Sequence, residues 1–172
     1  LNSDDYLLTF DAIESISNFI VSKQYPVLVY GGILLVDEIT GSKNIVNCLF
    51  LFDEIKKGKM IPHPATFVKR TVLLELGGFD TQYKIAADYD LISRIYLKYH
   101  TAINHYSKLI TYFRLGGLSS DYKNLRLLNQ EVGKIRTLYF NEKTIQEQQM
   151  PNEWYYKKWI EKKLFYNKGI SN

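Results

Sequence analysis

The chain has 172 residues, 46% hydrophobic and 23% charged, a balance that allows one domain with its own core and excludes a highly charged disordered segment. One cysteine, Cys48, excludes a disulfide framework within the chain, and no apolar run approaches the roughly 20 residues that a bilayer-spanning helix needs. Of 22 Lys/Arg and 18 Asp/Glu, ten and five lie from Lys123 onward, leaving twelve and thirteen before it, so the net charge of +4 belongs to the C-terminal third and fits an anionic surface as partner there.

In chain order, Asn2-Ser3-Asp4-Asp5 opens the sequence. From Asp11 to Lys23, Ile13, Ile16, Phe19 and Ile20 recur at helical spacing, with Asp11 and Glu14 resembling an acidic capping box. "YPVLVYGGILLVDEITGSK" reads as two strands, started by Pro26, interrupted at Gly31-Gly32 and turned at Thr40-Gly41-Ser42. Cys48 sits in an apolar run and reads as a buried structural thiol. A short helix is expected between Ile45 and Lys57, then a loop with prolines on both sides of His63. Thr71 to Leu76 predicts a helix stopped by Gly77-Gly78, and Asp88 or Asp90 starts the next, with Ile92, Ile95, Tyr96 and Tyr99 facing inward. "TAINHY" and "KLITYFRL" read as short strands, "GGLSSD" as a loop, and a helix follows to about Phe140. A polar linker then leads to an amphipathic helix over Trp154–Lys168.

Four groups of residues invite a chemical reading, and each has a plainer one. Adjacent carboxylates such as Asp4 and Asp5 can share a hard divalent cation with phosphate oxygens, or simply form a turn. Asp88 at a helix start can cap free N–H groups or serve as a general base facing a cleft. Asp90, two positions on, reads as the more structural acid of the pair. Arg114 with the Gly116-Gly117 loop and the serines after it can cradle a phosphate or merely connect two elements. The fourteen tyrosines suit sugar stacking or interfaces, and equally fill a core. The three histidines, His63, His100 and His105, lack metal-ligand spacing, and nothing resembles a sequence-specific nucleic-acid-reading module.

Taken together, "LNSDDYL", "HPATFVKRTVLLELGGFDTQYKIAADYDLISRI" and "YFRLGGLSS" resemble, in order and spacing, motifs of the inverting family 2 glycosyltransferases over roughly residues 1–125. The resemblance implies an α/β fold: part of a GT-A, Rossmann-like domain with a mixed sheet, over 1–120, followed by a helical C-terminal extension over 121–172. It implies transfer of a sugar, with inversion, from a nucleotide-diphosphate donor, a UDP-sugar first among them, to a saccharide or lipid-linked saccharide acceptor in bacterial surface polysaccharide or glycolipid assembly. Asp4 and Asp5 match the acids that reach Mn²⁺ or Mg²⁺ and the diphosphate, and Asp88 matches the catalytic base. Asn2, His63, Asp90, Arg114, Gly116 and Gly117 match substrate-side positions. Two departures bear on metal dependence and the base: Asn2 stands where the family has its first acid, and Ala87 where many members have Glu. In that family the strands that grip the nucleotide precede the first motif, so the chain resembles the C-terminal part of such an enzyme.

The tail "NEWYYKKWIEKKLFYNK" would set Tyr156, Trp159, Ile160 and Leu164 on one helical face and lysines on another, which suits a peripheral contact of residues 154–168 with an anionic bilayer or a helix packed on its own domain. With the single cysteine this implies a cytoplasmic setting at the inner face of the membrane. The competing expectation is a non-catalytic binding or scaffold fragment that keeps the fold without a working nucleotide half. Nucleic acid is not an expected partner.

Overall fold

The computed structural model describes residues 5–47, 49–50, 52–115 and 122–141. Its centre is β2 (Leu28–Asp37), an almost wholly buried strand of the kind that is covered on both faces. On one edge β2 pairs in parallel with β5 (Ile103–Arg114). On the other it pairs antiparallel with β4 (Thr66–Val68) along its first half and with β3 (Ser42–Val46) along its second. The short β1 (Tyr6–Leu7) closes the far side of β5, giving the mixed order β1-β5-β2-β3.

Gly31-Gly32 does not interrupt the strand, as the sequence pattern led us to expect. The chain runs straight through, and the glycines admit a close approach instead. Between the pairs Tyr30–His105 and Gly32–Leu109, β2 advances two residues while β5 advances four, so β5 bulges against the glycines. A Cβ on Gly32 would lie 2.7 Å from both Asn47 and Leu109. The same bulge joins "TAINHY" and "KLITYFRL" into the single strand β5 rather than two.

Two apolar layers cover the sheet. On one side α1 (Ala12–Ser22) lays Ile16, Phe19 and Ile20 against Val29, Ile33 and Tyr106. Asp11 precedes this helix, but its carboxylate accepts from the Ser15 hydroxyl and makes no capping bond to the helix, so no capping box forms. On the other side Leu28 and Tyr30 meet Ile92, Ile95 and Tyr96 of α4 (Ala87–Tyr99) together with Val132 and Ile135 of α5 (Leu125–Phe140). Full burial of each such side chain stabilises by about 1.5–3 kcal/mol. The expected C-terminal extension is helical where it is described, and α5 is built into this main core rather than appended to it. The short helices α2 (Phe52–Lys56) and α3 (Arg70–Glu75) pack at the margins. Among the described residues no helix is long and apolar enough to cross a membrane.

Candidate functional site

The helix α3 ends at Gly77 and Gly78, whose φ values of +76° and +72° are open to glycine at little cost. The turn is then clamped from a distance. Arg94, on α4, donates to the carbonyls of Leu76 (2.5 Å) and Gly78 (2.8 Å) and pairs with Asp90 one helical turn back (2.6 Å). Asp90 has no exposed surface, and its second oxygen accepts the Tyr139 hydroxyl at 2.9 Å. Burial, then the bond to Asp90, pushes the Tyr139 phenol up to about 12. Asp90, expected among the substrate-binding residues, is buried in this structure and is spent on Arg94 and Tyr139, through which it braces the Gly-Gly turn.

Asp88 is different. It lies in the first turn of α4, and the residue before that helix, Ala86, offers no side chain to cap it. The capping work falls to Glu131 of α5, a residue that sequence reading did not single out. Its two oxygens accept the N–H groups of Lys84, Ile85 and Ala86, each at 2.9 Å. Burial raises the Glu131 carboxyl, but the three N–H donors outweigh it and hold the group below its ordinary value. The sequence did carry a trace of this: Leu128, Glu131, Val132 and Ile135 share one helical stripe, and a lone acid on an apolar stripe needs a buried partner.

Asp88 points its Oδ2 at His63. Nδ1 of His63 lies 3.0 Å away, with the two side chains 28% and 36% exposed respectively. The other oxygen of Asp88 accepts the Tyr89 N–H at 2.8 Å. His63 sits in a 3-10 turn, His63–Ala65, between Pro62 and Pro64. That turn is pinned to β5, since the Thr111 hydroxyl donates to the Pro64 carbonyl at 3.0 Å and the Phe113 ring meets His63 edge-on with centroids 6.4 Å apart.

The next residue along β5 reaches the other motif. β1 aligns Tyr6 with Tyr112, stacking their rings at 4.3 Å, and this brings Asp5 to Arg114, whose N–H donates to Oδ1 of Asp5 at 3.3 Å. The Arg114 guanidinium pairs with Glu38 at 3.0 Å, just beyond the end of β2. Asp5, Arg114, Phe113 and His63–Asp88 thus gather where the parallel strands β2 and β5 end, the side of an open α/β sheet on which ligands bind. Asn2, Asp4, Gly116, Gly117, Cys48 and the expected helix 154–168 lie outside the described residues.

Among the described residues no three of His, Cys, Asp and Glu cluster closely enough to hold a metal ion. A cation at Asp5 would draw its other ligands from outside those residues or from a bound diphosphate, a donor set of hard oxygens that suits Mg²⁺ or Mn²⁺. His105 is turned to another partner: its Nε2 is 3.0 Å from Asn47 Oδ1, and burial lowers its proton affinity. A scan of protein-family models finds no match to this chain, and no curated protein matches it.

Proposed function

We propose that this chain is the acceptor-side portion of a metal-dependent inverting glycosyltransferase that uses a nucleotide-diphosphate sugar, with the motif resemblance supplying the reaction class. The observation that carries the reading is the position of the His63–Asp88 pair beside the carboxyl ends of β2 and β5, one residue along β5 from Arg114 and its contact with Asp5. In this reading the acceptor hydroxyl lies against the pair, which takes its proton as the oxygen attacks the anomeric carbon. Asp4 and Asp5 would hold Mn²⁺ or Mg²⁺, which offsets the charge leaving on the nucleotide diphosphate. Arg114 would turn from Glu38 toward that diphosphate, an exchange of one anion for another of higher charge. The acceptor is a saccharide or a lipid-linked saccharide, with the basic 154–168 segment in contact with the inner face of an anionic membrane.

Calorimetric titration of UDP with Mn²⁺ into the chain tests this. Metal-dependent binding that disappears in Asp4→Asn and Asp5→Asn supports the reading. A folded chain that takes up no UDP removes donor binding from it and leaves the acceptor-side surface as a binding surface alone.

A further inference from the structure

We infer that the proton-accepting atom of this site is Nε2 of His63, and that Asp88 acts through His63 as its positioning residue. The resemblance makes Asp88 itself the base, but the geometry uses Asp88 differently. Its Oδ1 already accepts the Tyr89 N–H (2.8 Å), and its Oδ2 is paired with His63 Nδ1 at 3.0 Å. A carboxylate on Nδ1 fixes the tautomer that carries its proton there, and the lone pair then sits on Nε2. No described residue meets His63 Nε2, and the ring is 36% exposed.

The ring is also held in place, as a base must be. The Ala65 N–H and Thr66 hydroxyl both donate to the Pro62 carbonyl, at 3.0 and 2.9 Å, while Thr111 fixes Pro64 and Phe113 flanks the imidazole. The other two histidines lack this arrangement. His105 directs Nε2 at Asn47, and His100 lies against the Phe52 ring. Among the described residues His63 is the one histidine paired with a carboxylate.

The source of the proton, an acceptor hydroxyl, rests on the glycosyltransferase reading. The hydroxyl's O–H bond breaks and its proton passes to Nε2. Its electron pair forms the new bond to the anomeric carbon, while the old C–O bond breaks with its pair leaving on the nucleotide diphosphate. The imidazolium that results stays paired with the Asp88 carboxylate.

The test is a two-bond ¹⁵N–¹H correlation spectrum of the ¹⁵N-histidine-labelled chain at about pH 8, where an ordinary imidazole is neutral, with His63→Gln used to assign the signal. The expected result is a protonated Nδ1 and an unprotonated Nε2 for His63, the reverse of the preference of free histidine. In Asp88→Asn the pattern should shift toward the Nε2–H form. A wild-type His63 that carries its proton on Nε2 overturns the inference, and this outcome is readable whether or not the variant folds. The nucleotide titration is independent: failure to bind UDP removes the transferase reading and leaves the tautomer result standing, while a reversed tautomer removes the His63 assignment and leaves the nucleotide site standing.

Discussion

The Oε2 of Glu131 accepts the N–H of Ala86 at 2.9 Å across 45 residues of sequence, and through it α5 fixes the start of the helix that bears Asp88. A carboxylate with three N–H donors replaces the local cap that this helix lacks.

Glu131→Ala should therefore destabilise the fold by about 2–4 kcal/mol, because it strands partly buried N–H groups that make no other bond among the described residues, and Glu131→Gln by about half that. Urea unfolding followed by circular dichroism measures both. The pH dependence has a definite sign. The Glu131 carboxyl is held below its ordinary 4.5 in the folded chain, so its contribution is complete above that pH and is lost as pH falls through the lower folded value. The Gln variant should show a shallower loss of stability in acid than the wild type, and an unchanged acid limb would refute this account of the cap.

Arg94→Lys should not behave as a conservative change. The guanidinium serves Asp90, Leu76 and Gly78 at once, a fork that one ammonium cannot reproduce. Arg94→Ala leaves the Asp90 carboxylate buried without its counter-charge and should cost about 3–5 kcal/mol. Tyr139→Phe, which removes one bond to the same carboxylate, should cost about 1 kcal/mol. Thermal unfolding ranks the three, and a Lys variant equal to wild type would contradict the clamp.

His63→Gln and Asp88→Asn should leave stability within about 1 kcal/mol of wild type, since both side chains are partly exposed and neither supports the core. Transfer from a nucleotide sugar should fall about 10²–10⁴-fold in each. The double variant should lose little more than either single one, because the two act as a unit. Additive losses would mean separate roles.

Gly32→Ala should cost about 1–3 kcal/mol, since the added methyl has to displace Asn47 and Leu109. Gly41→Ala meets no atom within 4 Å, yet its φ of +67° should still cost about 1 kcal/mol. Chemical denaturation of the two variants separates close approach from backbone strain.

Much of this was legible along the chain. The stripe Ile16, Phe19, Ile20 located α1, Gly77-Gly78 located the end of α3, and the apolar positions of α4 located its buried face, because each depends on neighbours three or four residues away. The α/β class with a mixed sheet was an expectation from the motif resemblance, since strand pairing joins residues far apart in sequence, such as Leu28 and Ile103. The different fates of Asp88 and Asp90 were not. Two positions apart on a helix they point some 200° apart, and which one meets solvent depends on Tyr139 and His63, far off in sequence. Gly31-Gly32 misled because a glycine pair marks either a turn or a close approach, and only the partner strand decides between them.

The seal that Glu131 places over Lys84–Ala86 also has an order in time. During synthesis a chain emerges from its N-terminus, and domains complete themselves as the last packing element becomes available. A nascent chain that has exposed β5 already owns every strand of the sheet, together with both members of the His63–Asp88 pair. It does not yet own the carboxylate that ties down the start of α4. His63 is held by partners made earlier, but Asp88 is tied down only when α5 clears the ribosome, so a stop codon placed before residue 131 would yield a chain with all its site residues and one half of the pair unsettled.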